Sequence, residues 1–318
     1  RRILENQGTS ILKLGHYAVI TMAGGQGTRL GHNGPKGTFE LNLSPKKSLF
    51  EILADKIKQS NKRYGITIPW YIMTSENNND DTIKFFESKD YFGINKDDVH
   101  FFVQNKLPLV SNSDGKVLLS ELYQVYEASN GNGNLFESLK SNGFIEKMKD
   151  DGIKWVFVSG IDNILVKVAD PLFLALTINN HTEIGAKTIF KIDPFSHDWV
   201  FCKKNGKPAM LGYQRITDEI TNSCSNGKFL YRDINILCHL FSIHAIEKIA
   251  DIDLPYHRAF KKNYFINSEG MKVLPDLPNS YKFEKFIFDS FRFFDNITLL
   301  RVEEDKEFAP IKDPVRYL

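Results

Sequence analysis

YAVITMAGGQGTRLGHNGPKG, residues 17–37, changes character halfway along. Tyr17-Ala18-Val19-Ile20-Thr21-Met22 is a short, β-rich apolar run whose length suits a buried strand rather than a helix. Gly24, Gly25, Gly27 and Gly31 follow, a density of glycine that neither helix nor strand tolerates. Such a loop lets a ligand approach main-chain N–H groups unhindered, which is the chemistry of a phosphate cradle. Arg29 adds a fixed charge suited to a polyphosphate, and Lys36, set beyond Pro35, adds a mobile one. Two common glycine motifs fail here. A dinucleotide fingerprint needs a sixth-position glycine where Leu30 stands, and a P-loop needs Gly-Lys-Ser/Thr where Lys36 lies between Pro35 and Gly37.

Outward from this loop, strand and helix patterns alternate. Residues 1–16 read as strand-like and loop sequence, and Phe39–Leu43 alternates as a strand. Ser48 and Glu51 are spaced as a capping box for a helix running to about Lys62. Trp70–Thr74, Phe101–Gln104 and Trp155–Ser159 are further strands, with a helix around 82–86 between the first two. This succession predicts an α/β fold with helices on the faces of a sheet. Another strand runs from Gly185 to Ile192, and Asn205-Gly206 turns a hairpin between Val200–Cys202 and Ala209–Leu211. Leu237–Ile249 reads as helix-like, the hairpin around Ser268-Glu269-Gly270 as exposed, and the aromatic run from Tyr281 to Phe294 as a mostly buried helix.

Two strand-end residues and one loop carry chemistry, each with a plain structural alternative. Gln104, at a strand's carboxyl end, can read a base edge through its amide, although a strand-end glutamine alone is more often structural. Asp162, just past another strand, suits Mg²⁺ or Mn²⁺ shared with substrate phosphate, but equally a turn or cap. Gly131-Asn132-Gly133 is a second glycine loop, by itself an ordinary flexible turn. Asp170-Pro171 reads as the N-cap and first residue of a helix.

Composition narrows the partners. At 318 residues, one large domain with a smaller appendage is expected. The net charge of +2, from 41 basic and 39 acidic residues without a long basic block, points away from nucleic acid. Cys202, Cys224 and Cys238 lack close pairs, which fits neither a disulfide framework nor a zinc ribbon, and the eight histidines form no zinc-binding pattern. No run approaches a membrane span and no signal sequence opens the chain, so a cytoplasmic protein is expected, a monomer in preference to an oligomer.

The motifs together resemble one family over nearly the whole chain: the uridylyltransferases that make UDP-sugars, and most closely the eukaryotic-type UDP-N-acetylglucosamine pyrophosphorylases. Their G-G-x-G-T-R-L-G with a following P-K matches Gly24–Gly31 and Pro35-Lys36. The run Asp162–Pro171 reproduces D-N-I-L-V-K-V-A-D-P, and Phe308–Lys312 matches F-[SA]-P-[LI]-K. The resemblance implies a Rossmann-like mixed sheet of the nucleotide-diphospho-sugar transferase (GT-A-like) type. It divides a catalytic domain at 1–300 into a nucleotide half, about 17–170, and a sugar half, about 171–300, with 301–318 opening a C-terminal segment.

It also implies roles. Gly24, Gly25, Gly27, Thr28 and Arg29 would wrap the UTP phosphates, and Lys36 and Lys312 would stabilise charge on the transferred phosphoryl group. Gln104, Gly131 and Asn132 would hold the base, and Asp162 the metal. Asn132, Tyr213, Asn235, Phe286 and Phe288 would hold the sugar. The substrates implied are UTP and N-acetylglucosamine 1-phosphate, with glucose or galactose 1-phosphate as a rival and a non-catalytic UDP-sugar-binding protein as another. Three positions depart from the family pattern. Asn134 replaces the last glycine of G-N-G-G, Trp199 stands where a glycine is usual, and Gly212 stands where a glutamate precedes the pocket tyrosine. Losing that acceptor predicts weaker sugar binding, and a Gly212→Glu change is expected to sharpen discrimination between sugar epimers; a local shift that brings Asp218 or Glu219 into the site is the alternative.

Overall fold

In the computed structural model, Tyr17–Met22 is the central strand of a nine-stranded mixed sheet, buried along its whole length. The structure describes residues 1–190, 198–212, 223–225 and 228–312. Tyr17–Met22 lies parallel to Trp155–Gly160 on one side and to Trp70–Thr74 on the other, and Trp70–Thr74 lies parallel to Val99–Val103. Beyond Trp155–Gly160 the sheet turns antiparallel through Asp233–Ser242, which also pairs with Ile184–Phe190 and, at Ile234, with Val200–Lys204. Thr298–Arg301 closes that side, parallel to Ile184–Phe190. The chain leaves Tyr17–Met22 toward one edge and returns on its other flank, so the strand order reverses there. In open α/β sheets this reversal opens a crevice at the carboxyl ends of the strands.

The sequence chemistry explains the helices. Leu49–Tyr64 starts as its capping box predicts, with the Ser48 Oγ accepting from the Glu51 N–H at 3.1 Å, and stops at Gly65, whose φ of 68° suits a residue without Cβ. It buries Phe50 against Phe86 and seats it near Trp70, with ring centroids 4.9 and 6.4 Å apart. Burying one such ring contributes about 1.5–3 kcal/mol. Pro171–Asn179 begins with the Asp170 carboxylate accepting from the Leu172 and Phe173 N–H groups.

Three expectations need correcting. Residues Arg2–Leu12 form a helix, not strand-like sequence, because packing against Pro171–Asn179 stabilises it: Gly8 lies so close to the Pro171 carbonyl that no Cβ would fit, and Gln7 and Asn179 exchange amide hydrogen bonds of 3.0 and 2.8 Å. Leu237 does not start a helix. Asp233–Ser242 is one long strand, and only Ile243–Ala250 is helical, capped by the Ser242 Oγ. The aromatic stretch is likewise split, into the strand Ser280–Glu284 and the 3₁₀ segment Ile287–Phe293. The hairpins at Asn205-Gly206 and around Glu269 form as read. Among the described residues no helix is long and apolar enough to cross a membrane.

Candidate active site

The glycine loop is held from below by one side chain. Asn78, buried at the N-terminus of Asn79–Ser88, donates to the Ala23 carbonyl at 2.9 Å and the Gly25 carbonyl at 3.2 Å and accepts from the Ser75 N–H. The loop then folds back on itself, with Gly27 N–H donating to the Gly34 carbonyl and Lys36 N–H to the Gly25 carbonyl. This brings Lys36 beside the glycines from eleven residues away along the chain. Gly25 faces open space, as a phosphate cradle requires, while Gly24 presses on the Gln104 amide closely enough that a Cβ would displace it. Gln104 is thereby placed beside the loop, where it was expected. Thr28 and Arg29 are exposed on the loop's outer turn.

The charged centre assembles from three distant segments. The Lys36 Nζ lies 3.7 Å from the Asp162 Oδ2 at the end of Trp155–Gly160. Burial holds the Lys36 ammonium below the ordinary lysine value; the Asp162 carboxylate opposes this, and the charges of Lys312 and Arg29 reinforce it. Lys312 arrives through Asn163, which was not singled out from the sequence. The buried Asn163 side chain donates to the Glu307 carbonyl at 2.8 Å and accepts from the Ala309 N–H at 3.0 Å. Its backbone bridges Pro310, and the Ile311 N–H donates to the Asp162 carbonyl at 2.9 Å. Lys187 anchors the same segment from beneath. It is buried between Asp170 and Glu307, its Nζ 2.6 Å from each carboxylate, and Glu307 also pairs with Lys167.

The second glycine loop lies against the aromatic segment. A Cβ at Gly133 would meet the Phe286 backbone, and the Asn132 Oδ1 accepts from the Ile287 N–H at 3.0 Å. Asn134, the departure from the family pattern, is buried and wholly engaged: its Oδ1 accepts from the Asn105 N–H and the Ser138 hydroxyl, and its Nδ2 donates to Glu137. Phe286 and Phe288 stack with centroids 5.0 Å apart, and the Trp199 indole lies 4.4 Å from Phe288 and 5.6 Å from Phe286. Asn235 adjoins this aromatic wall, its N–H donating to the Trp199 carbonyl at 2.8 Å. His257 pairs with Asp289 at 2.6 Å beside Phe286. Tyr213, Asp218 and Glu219 lie outside the described residues.

Among the described residues no group of three or more His, Cys, Asp or Glu could enclose a metal ion. Asp162 alone offers a carboxylate beside Lys36, a donor set that fits an ion carried mainly by phosphate and water oxygens.

The mixed sheet with an open glycine loop at its strand-order reversal is a nucleotide-diphospho-sugar transferase fold. The chain belongs to the UTP--glucose-1-phosphate uridylyltransferase family, whose sequence profile matches residues 2–316. It is 37% identical over 97% of its length to the UDP-N-acetylhexosamine pyrophosphorylase-like protein 1 of Xenopus tropicalis, covering 62% of that protein. It is 35% identical over 96% of its length to the UDP-N-acetylglucosamine pyrophosphorylase of Saccharomyces cerevisiae, covering 66% of it. A solved structure from Entamoeba histolytica superposes with a TM-score of 0.92 at 32% identity, over 99% of this chain and 80% of its own. The chain thus spans about two thirds of the length of the curated relatives it matches.

Proposed function

We propose that the protein transfers a uridylyl group from UTP to N-acetylglucosamine 1-phosphate and releases pyrophosphate. The observation that carries this reading is the Lys36–Asp162 pair beside the open glycine loop, with the charges of Lys312 and Arg29 acting on Lys36. A lysine whose charge is disfavoured by burial and by two cationic neighbours gains most from an arriving polyanion. A phosphate oxygen of the sugar 1-phosphate attacks the α-phosphorus of UTP in line, and the bond to the bridging oxygen breaks as pyrophosphate leaves. Positioning and charge stabilisation suffice, with no covalent intermediate on the protein. Lys36, Arg29 and Lys312 offset the charge that develops on the phosphoryl oxygens. Asp162 would hold Mg²⁺ or Mn²⁺, which would supply further charge neutralisation there. Gln104 and the Gly131-Asn132 loop hold the base, and Asn235, Phe286 and Phe288, with Tyr213, hold the sugar.

Glucose 1-phosphate is the second reading, favoured by the Trp199 indole, which takes up room beside Phe288. The name of the yeast relative supports the acetamido sugar. Pyrophosphate release from UTP with a panel of sugar 1-phosphates separates the readings. N-acetylglucosamine 1-phosphate is expected to give the highest kcat/KM; equal or better use of glucose 1-phosphate overturns the acetamido assignment, and no turnover with any sugar leaves a binding protein.

A further inference from the structure

His239 is wholly buried in the strand Asp233–Ser242, paired across the sheet with Val158 and set edge-on to the rings of Phe241 and Phe291. Among the described residues its Nε2 has one partner, the Asn235 Oδ1 at 3.0 Å, and its Nδ1 has none. Which of these atoms carries the proton follows from a backbone group. The Leu237 N–H donates to the same Asn235 side-chain atom at 3.0 Å, and Leu237 itself takes a left-handed φ of 54°. A backbone N–H can only donate, so the atom facing it is the amide oxygen. The His239 Nε2 facing that oxygen must then hold the proton, leaving a bare lone pair on Nδ1 among aromatic rings. Burial pushes the His239 pKa down to about 3, which keeps the ring neutral.

This arrangement fixes the Asn235 amide. Flipping it would set N–H₂ against the Leu237 N–H, a donor–donor contact in place of a hydrogen bond, and would make a second with the His239 Nε2–H unless the ring gave up that tautomer. Among the described residues the Asn235 Nδ2 has no hydrogen-bond partner; Asn235 is half-buried, and its backbone N–H donates to the Trp199 carbonyl. We propose that His239 is a positioning residue for the sugar: its Nε2–H and the Leu237 N–H hold the Asn235 oxygen inward, so that the amide N–H₂ is offered to an acceptor oxygen of the sugar. This rests on the functional reading above.

Two measurements test it. In His239→Phe, which keeps an aromatic ring without the donor, KM for the sugar 1-phosphate is expected to rise about five- to tenfold, with kcat and KM for UTP within about twofold. His239→Gln, which can return an amide donor to the same oxygen, is expected to recover most of that loss. A folded His239→Phe with the sugar KM of the unmodified protein overturns the proposal, as does an equal loss in both substrates without rescue by Gln. Nitrogen-15 NMR of the unmodified protein needs no variant to fold and no turnover. It is expected to show a neutral ring protonated at Nε2, and an Nδ1–H ring or an imidazolium overturns the proposal. If the tautomer is as expected but no sugar is used, the functional reading fails and the amide orientation stands.

Discussion

The Trp199 indole occupies the space that a side chain at Gly212 would need: a Cβ at Gly212 would lie 2.5 Å from the ring. Phe288 and Phe286 also pack against the indole, so moving it would disturb those ring contacts. The expectation that Gly212→Glu alone would sharpen sugar discrimination therefore fails on steric grounds. Trp199 and Gly212 are thus sterically coupled: the indole fills the room a side chain at 212 would take.

Gly212→Glu by itself is expected to lose about 1–3 kcal/mol of stability through overpacking and to gain no discrimination. Combined with Trp199→Gly, it is expected to regain stability and to improve discrimination between N-acetylglucosamine and N-acetylgalactosamine 1-phosphates about tenfold. Thermal melts and kcat/KM for both sugars check this. A well-folded, more selective single variant would show that the indole moves freely.

Lys36→Ala is expected to lower kcat at least about tenfold, roughly 1.4 kcal/mol of transition-state stabilisation. Stability should move differently. Because the folded-state pKa of Lys36 lies below 10.5, its charge costs stability at pH values below that folded pKa, and the cost fades as pH rises toward 10.5. Lys36→Met is thus expected to be inactive at neutral pH without a lower melting temperature. In the unmodified protein, activity is expected to fall on the alkaline side before pH 10.5. Near-normal turnover in folded Lys36→Ala would remove Lys36 from the mechanism.

Chelation of divalent ions is expected to abolish turnover, and Asp162→Ala to raise the Mg²⁺ concentration needed for half-maximal rate about tenfold or more, since it removes the charged oxygen ligand beside Lys36. Full activity in excess chelator would leave Asp162 only its pairing with Lys36.

Lys187→Met is expected to cost about 3–5 kcal/mol, because it strands Asp170 and Glu307 as buried carboxylates without their shared cation. Burial works against the charged form of Asp170, but Lys187 and the helix N–H groups prevail and hold its pKa below 3.8. Its contribution is therefore present above pH 3.8 and lost as pH falls through the folded value. Burial likewise works against the Lys187 charge, yet the carboxylates raise its pKa above 10.5, so its contribution is complete below pH 10.5 and lost as pH rises through the folded value. Urea midpoints across pH should show a plateau between these limits that the variant lacks. An unchanged midpoint in Lys187→Met would make the cluster energetically neutral.

Where local chemistry decides, the sequence was readable. Glycine density with Arg29 and Pro35-Lys36 marked the cradle, and Ser48–Glu51 and Asp170-Pro171 marked helix starts, because each states its backbone requirement within a few residues. The strand from Leu237 was misread because Cys238 to Phe241 are buried on both faces, which gives a continuous apolar run without the alternation that betrays a strand. Arg2–Leu12 was misread because its helix depends on a distant partner, Pro171–Asn179. Asn78 and Asn163 went unnoticed for a related reason: their roles lie in carbonyls and N–H groups from remote segments, and the residue names alone do not show them. Asn78 left one faint signal, its place at the start of a helix just past a strand.

The bridge from Asn163 to Pro310 has a consequence for the order of synthesis. The cradle at residues 24–36 and the strand that presents Asp162 emerge early from the ribosome, yet Lys312 and the segment that seats it emerge nearly 150 residues after Asp162. A nascent chain that has already folded around its central strands therefore carries an incomplete set of charges. Seating Lys312 through Asn163 completes that set, late in synthesis.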